Sequence, residues 1–240
     1  MKYDAVLFDF DGVLVEPPSL EAFYEALRRV YDSFDLSRPS KEEVSAFFAG
    51  NLEAISRRCR QLGIDTNRFC GQAAKEAIRT QRKEIKVGMR SAYEDVSALV
   101  SLSPSCGVVS DNHPSIVSMT LQQFGIARHF ETIHGCPLTP TGFKRRKPNP
   151  YNLEAAMVTL NVEPDRVLYV GDQSVDIDAA DNAGVDSAYL SRDGSEIDRT
   201  PTYQLSSLRE LPTVIEQDSR WRCYLSSLLT RFTRPLRGDP

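Results

Sequence analysis

Val6-Leu7-Phe8-Asp9-Phe10-Asp11-Gly12-Val13-Leu14 is an apolar run carrying two carboxylates two positions apart, with a glycine directly behind them. Strand side chains repeat with period two, so Asp9 and Asp11 project to the same side where the strand ends. Like charges that close repel unless a cation lies between them or one keeps its proton. A divalent cation resolves the repulsion, and hard Mg2+ favours oxygen ligands while retaining several waters. Gly12 lets the backbone turn away from the strand and approach a ligand. The stretch reads as a site for anion chemistry assisted by a metal.

Working outward, the strand-like runs are Ala5–Phe10, Gly107–Ser110, Val167–Val170 and Ser187–Leu190. Short, continuous and apolar, they suit a parallel sheet buried on both faces. Helical patterns separate them, one running from Ile116 to Gly125 and another following Pro150 with Leu153, Ala156, Met157 and Leu160 in phase. Alternating strands and helices predict an α/β fold with a doubly wound parallel-sheet, Rossmann-like core. Residues 16–88 break the rhythm with four amphipathic segments, Leu20–Tyr31, Lys41–Phe48, Leu52–Leu62 and Thr66–Glu84. The division expected is a core of residues 1–15 and 89–212, an inserted α-helical cap at 16–88, and a C-terminal amphipathic helix and tail at 213–240. Pro17-Pro18 and Gly88 are the expected hinges, and the insertion would stand over the carboxyl ends of the strands, where open α/β sheets bind ligands.

Composition excludes several classes. With 240 residues, 41% hydrophobic and 26% charged, the chain is expected to be soluble and globular. A net charge of -4 with dispersed basic residues argues against nucleic acid as a partner. No apolar run approaches the roughly 20 residues that span a bilayer, and with the N-terminus leading straight into the first strand no signal peptide is expected. Cys59, Cys70, Cys106, Cys136 and Cys223 include no CxxC pair, so free thiols and a cytoplasmic location are expected.

Three further segments extend the first signal. Val108-Val109-Ser110-Asp111-Asn112 ends a strand in a hydroxyl and polar backbone. Lys147-Pro148-Asn149-Pro150 sets a cation in a rigid loop ahead of a helix. Tyr169-Val170-Gly171-Asp172-Gln173-Ser174-Val175-Asp176 ends a strand with carboxylates four apart. In a parallel sheet these strand ends share one edge, so the groups can converge.

With these four segments in order, the chain resembles the haloacid dehalogenase-like (HAD) hydrolase superfamily, in the branch with a helical cap after the first strand. The likeness covers residue 5 to about residue 190. It implies that Asp9 is the nucleophile, forming an aspartyl-phosphate, and that Asp11 is the general acid and then the base. It implies that Ser110 and the amide of Asp111 hold phosphate oxygens, and that Lys147 neutralises charge shared by Asp9 and the phosphoryl group. It implies that Asp9, the Asp11 carbonyl and Asp172 bind Mg2+, that Asp176 orients Lys147 or a metal-bound water, and that Gly12 and Gly171 support the turns. Phosphate-monoester hydrolysis needs accelerations of up to about 10^21, so metal, lysine and a closing cap are expected to act together.

The expected activity is Mg2+-dependent hydrolysis of a small phosphorylated metabolite, similar to phosphoglycolate phosphatase-like enzymes, by a monomer or homodimer. A phosphomutase resembling β-phosphoglucomutase shares both aspartates; a non-catalytic binding protein would be expected to lack some of them. Dehalogenases of the superfamily lack the second aspartate, and Asp11 is present. Asp111 stands where the family commonly has asparagine, and its charge must point away from phosphate. Gln173 replaces a small residue commonly found after the fourth-motif aspartate. Arg57, Arg58 and Arg60 read as a solvated helix face, with recognition of an acidic substrate the alternative. His113 could reach the site rim, while His129 and His134 read as structural. In the tail, Trp221, Tyr224, Leu225, Leu228, Leu229 and Phe232 form an apolar stripe among arginines, expected to pack against its own domain or a subunit, with binding to a partner or to an anionic membrane surface the alternative.

Overall fold

A computed structural model describes residues 2–216. Its strands are β1 (Ala5–Phe8), β2 (Ser105–Val109), β3 (Thr132–His134), β4 (Val167–Gly171), β5 (Asp186–Leu190) and β6 (Tyr203–Leu205). Its helices are α1 (Leu20–Asp32), α2 (Lys41–Phe48), α3 (Leu52–Gln61), α4 (Thr66–Lys86), α5 (Pro114–Gln123), α6 (Pro140–Lys144), α7 (Tyr151–Leu160) and α8 (Ser174–Ala183). All strand pairs are parallel, in the order β3-β2-β1-β4-β5-β6. This is the doubly wound order, whose direction of winding reverses at β1 and β4. Asp9 follows β1 and Asp172 follows β4, so both carboxylates stand at the crevice the reversal opens.

Six strands replace the four expected from sequence. β3 and β6 escaped because each has three residues, lies at a sheet edge and is only partly buried, so neither shows an apolar run. The central strands read clearly because β1 and β4 are buried along their whole length. β1 stops at Phe8, two residues short of the expected end, which leaves Asp9 on the first free position of the strand edge.

The four helices after β1 end within two residues of their expected limits. Ser19, Ser40, Asn51 and Asp65 cap them, each side chain accepting a backbone N–H of the first turn. The helices build an apolar cluster of their own from Leu27, Val30, Tyr31, Ile55, Cys59 and Phe69, which continues onto Ile116, Leu138 and Phe143 of the sheet domain. Arg57 pairs with Glu53 at 3.2 Å and Arg58 with Glu43, while Arg60 is exposed, so the solvated-face reading fits their surroundings. The apolar stripe expected beyond residue 216 lies outside the described residues. Ile215, just before it, packs in the main core with Leu208 and Leu211.

Candidate active site

Each motif residue arrives at the sheet edge from a different element. Asp9 is held by its backbone, whose N–H donates to Val170 O at 2.8 Å, locking the β1 and β4 ends together. Lys147 enters from the loop after α6, and its Nζ lies 2.8 Å from Asp9 Oδ1 and 2.5 Å from Asp176 Oδ1. Asp176 divides its work between its oxygens. Oδ1 meets Lys147, while Oδ2 accepts the N–H groups of Asp172 at 3.2 Å and Gln173 at 2.9 Å. The first-turn cap and the lysine contact are thus both present in one side chain.

Asp9, Asp172 and Asp176 each bring a carboxylate oxygen within 4.8 Å of the others. The buried Oδ1 of Asp172 has no hydrogen-bond partner. An unmatched carboxylate oxygen among other carboxylates is costly, and a hard divalent cation offsets that cost. Burial, then the charge of Asp176, push the Asp172 carboxyl up to about 7 against the pull of Lys147. Burial also drives Asp9 well above the carboxylate range, with Asp176 and Asp172 adding to it and Lys147 opposing it. Lys147 itself would be depressed by burial, but Asp176 and Asp9 outweigh that and hold it firmly protonated. The donor set fits Mg2+.

The glycines are explained by close approach. At Gly12, with φ +85°, a Cβ would lie 2.0 Å from Asp172 Oδ2. At Gly171 a Cβ would lie 2.2 Å from that of Asp176. Gly12→Ala therefore cannot keep Asp172 where it is, and we expect at least about a tenfold weaker Mg2+ affinity, measured by calorimetry. Affinity equal to the parent would refute this role for Gly12.

Ser110 is 2% exposed and its Oγ accepts the Asn112 N–H at 3.0 Å. Asp111 turns its Oδ1 onto the backbone N–H of Lys147 at 3.0 Å, so the charge faces the lysine loop. The asparagine that the family pattern places at 111 is found one position later, where Asn112 Nδ2 donates to Asp11 Oδ2 at 2.8 Å. His113 caps α5, its Nδ1 accepting the Ser115 N–H at 3.2 Å. His134 Nε2 lies 2.9 Å from Thr132 Oγ1, a local sheet contact.

Three participants escaped the sequence reading. Arg90, 2% exposed, ion-pairs with Asp11 Oδ1, donates to Gln81 Oε1 at 2.7 Å and also bonds the Glu16 carbonyl. Asn112 Nδ2 reaches the same Gln81 oxygen at 3.2 Å, closing a ring of Asp11, Arg90, Gln81 and Asn112. The helical insertion is thereby linked to Asp11 indirectly, Gln81 of α4 bonding the two side chains, Arg90 and Asn112, that hold its carboxylate. Burial raises the Asp11 carboxyl, while Arg90 and Asn112 pull it down. Tyr169 sits fully buried in β4 with its hydroxyl 3.2 Å from Lys147 Nζ, 3.2 Å from Asp176 Oδ1 and 3.2 Å from Val109 O. In sequence Tyr169 stands in an apolar strand run, and Arg90 and Gln81 carry no local signal of a place in the site.

A doubly wound sheet with a helical insertion after β1 and carboxylates and a lysine at its switch point defines a class of hydrolase. The chain belongs to the haloacid dehalogenase-like hydrolase family, which it matches over residues 6–190. It is 26% identical to pyrophosphatase PpaX of Anoxybacillus flavithermus, covering 92% of this chain and 100% of that protein. It is 26% identical to phosphoglycolate phosphatase 1 of Pseudomonas aeruginosa, covering 88% and 79%. Among solved structures, a HAD-superfamily hydrolase of subfamily IA from Geobacter sulfurreducens superposes with a TM-score of 0.58 at 21% identity, covering 89% and 96%. Among the described residues no helix is long and apolar enough to cross a membrane.

Proposed function

We propose that this protein is a Mg2+-dependent phosphatase that hydrolyses a small phosphorylated metabolite through an aspartyl-phosphate on Asp9. The observation that carries the reading is the Lys147 ammonium between Asp9 and Asp176, beside the unpartnered Asp172 oxygen. Asp9 attacks phosphorus as the bond to the leaving oxygen breaks, and protonated Asp11 supplies the proton that oxygen needs. Asp11, now a carboxylate, takes a proton from water as the water attacks the phosphoryl group and frees Asp9. Ser110 and the Asp111 N–H hold phosphoryl oxygens, and Lys147 balances their charge with that of Asp9. Asp9, Asp172 and the Asp11 carbonyl would hold Mg2+, which would supply Lewis-acid stabilisation of the phosphoryl charge. Residues 16–88 act as a cap over the cleft and exclude water.

The test is phosphate release from a panel of phosphorylated metabolites, with Mg2+ or with chelator. Metal-dependent release supports the reading; an isomerised phosphate ester without free phosphate would replace it with a mutase. Binding is checked separately. A carboxyl raised in the folded state costs stability as its proton leaves, so the metal-free protein should weaken as pH rises from about 4 to 7 through Asp172. Mg2+ needs that proton gone, so it should stabilise more at pH 8 than at pH 5.5. At 100 times its dissociation constant the gain is about 2.7 kcal/mol, or about 5–10 °C in Tm. A Tm indifferent to Mg2+ at pH 8 would overturn the metal assignment.

A further inference from the structure

Cations along the seam between the helical insertion and the strand ends are matched to acceptors, with one exception. Lys147 has Asp9 and Asp176, Arg90 has Asp11, Gln81 and the Glu16 carbonyl, and Arg192 has Asp95 with the carbonyls of Gly12 and Val13. Among the described residues Arg146, the residue before Lys147, has no ion pair, and its Nε is buried without a hydrogen-bond partner. Its guanidinium lies over the Phe143 ring, Cζ 4.7 Å from the centroid. On its other side is the turn between α2 and α3. A Cβ on Gly50, where φ is +66°, would be 2.5 Å from Arg146 Nη1 and 3.3 Å from Cζ. Asp111 acts on it through space, yet the Asp111 Oδ1 is already bonded to the Lys147 N–H.

Arg146 is only partly exposed, and a guanidinium whose Nε is buried without an acceptor is unfavourable unless something brings the counter-charge. Arg146 is anchored where a substrate would bring it. It shares a loop with the lysine that faces the phosphoryl group, and it meets the insertion at Gly50, in the turn between α2 and α3. Its planar fork suits a carboxylate or a phosphate, each of which it can grip through two N–H groups. The absence of a side chain at Gly50 keeps the insertion's backbone against the guanidinium and leaves it room.

We infer that Arg146 binds a second anionic group on the leaving-group side of the substrate. The substrate class is then a small phosphate monoester or anhydride whose leaving group carries a carboxylate or a phosphate. This inference rests on the phosphatase reading and sharpens it.

The test compares the parent with Arg146→Met and Arg146→Lys, in the presence of Mg2+, on three substrates. Phosphoglycolate presents a carboxylate, pyrophosphate presents a second phosphate, and p-nitrophenyl phosphate presents neither. The ratio of kcat/KM for each anionic leaving group to that for the nitrophenyl ester should fall about 10- to 100-fold in Arg146→Met, chiefly through KM. Arg146→Lys should restore part of it. The two anionic arms tell carboxylate from phosphate recognition by which ratio falls further. A ratio unchanged in both variants, whether or not absolute rates drop, overturns the inference and leaves Arg146 a packing residue. If the parent releases phosphate from none of the three, the phosphatase reading fails, and calorimetry still decides Arg146. Weaker binding of pyrophosphate or phosphoglycolate but not of methyl phosphate in Arg146→Met upholds it; equal change for all overturns it.

Discussion

Asp9→Asn is expected to slow phosphate release by at least about 10^3, a barrier increase of about 4 kcal/mol, while leaving the protein folded. The amide keeps the size of the carboxylate but has no negative oxygen to attack phosphorus, so the covalent route closes. Folding should tolerate the change because Asp9, 5% exposed, is crowded by Asp172 and Asp176. Removing one of three like charges relieves repulsion and offsets the lost contact to Lys147, which retains Asp176 at 2.5 Å. The measurement pairs initial rates with thermal denaturation. Release within tenfold of the parent, from a protein of unchanged Tm, would sink the aspartyl-phosphate mechanism.

Lys147→Met should be damaging in a different way. It deletes the ammonium from between two buried carboxylates and from the Tyr169 hydroxyl, leaving acceptors facing one another without a donor. Removing one partner of a buried ion pair costs about 3–5 kcal/mol, because the other charge remains uncompensated. For a chain of this size that is about 6–20 °C in Tm. Methionine has nearly the same reach, so the loss reports charge more than volume. The orphaned carboxylates can escape by taking up protons, which raises their pKa in the folded state. A carboxyl raised on folding contributes less stability as pH rises, so the deficit should be larger at pH 8 than at pH 5. A deficit independent of pH would show that packing, not charge, is what Lys147 supplies. Phosphate release should fall with it, since Asp9 then loses the cation that balances an incoming phosphoryl group.

The residues read from sequence share a property. Asp9, Asp11, Ser110, Asp172 and Gly12 lie within a few positions of a strand end, and a parallel sheet gathers its strand ends at one edge whatever the loops do. Period-two projection and an apolar run are enough to place them. Lys147 and Asp176 were legible for a related reason, the first lying just ahead of α7 and the second in the first turn of α8. The four helices of the insertion were legible through amphipathic spacing. The edge strands β3 and β6 were not, because a three-residue, half-exposed strand has neither length nor pattern.

The remaining members of the site have no local signature. Arg90 meets Asp11 across 79 residues of chain, Gln81 meets Asn112 across 31, and Lys147 meets Tyr169 across 22. An arginine that will be buried on an ion pair is spelled like an arginine in solvent, and a strand tyrosine bonded to a buried lysine is spelled like a core tyrosine. Arg146 is the sharpest case, sitting in the run Lys144-Arg145-Arg146-Lys147 where four cations look alike. Lys147 goes inward to Asp9, Arg146 lies over Phe143 and beside Gly50, and Arg145 stacks on Tyr151 at 4.0 Å. Fold class, the order of the motifs and the type of chemistry follow from local pattern, since strand and helix periodicity are local. Which charges are buried, and which of those are left without a partner, follows from packing between distant segments, because burial and pairing exist only once those segments meet.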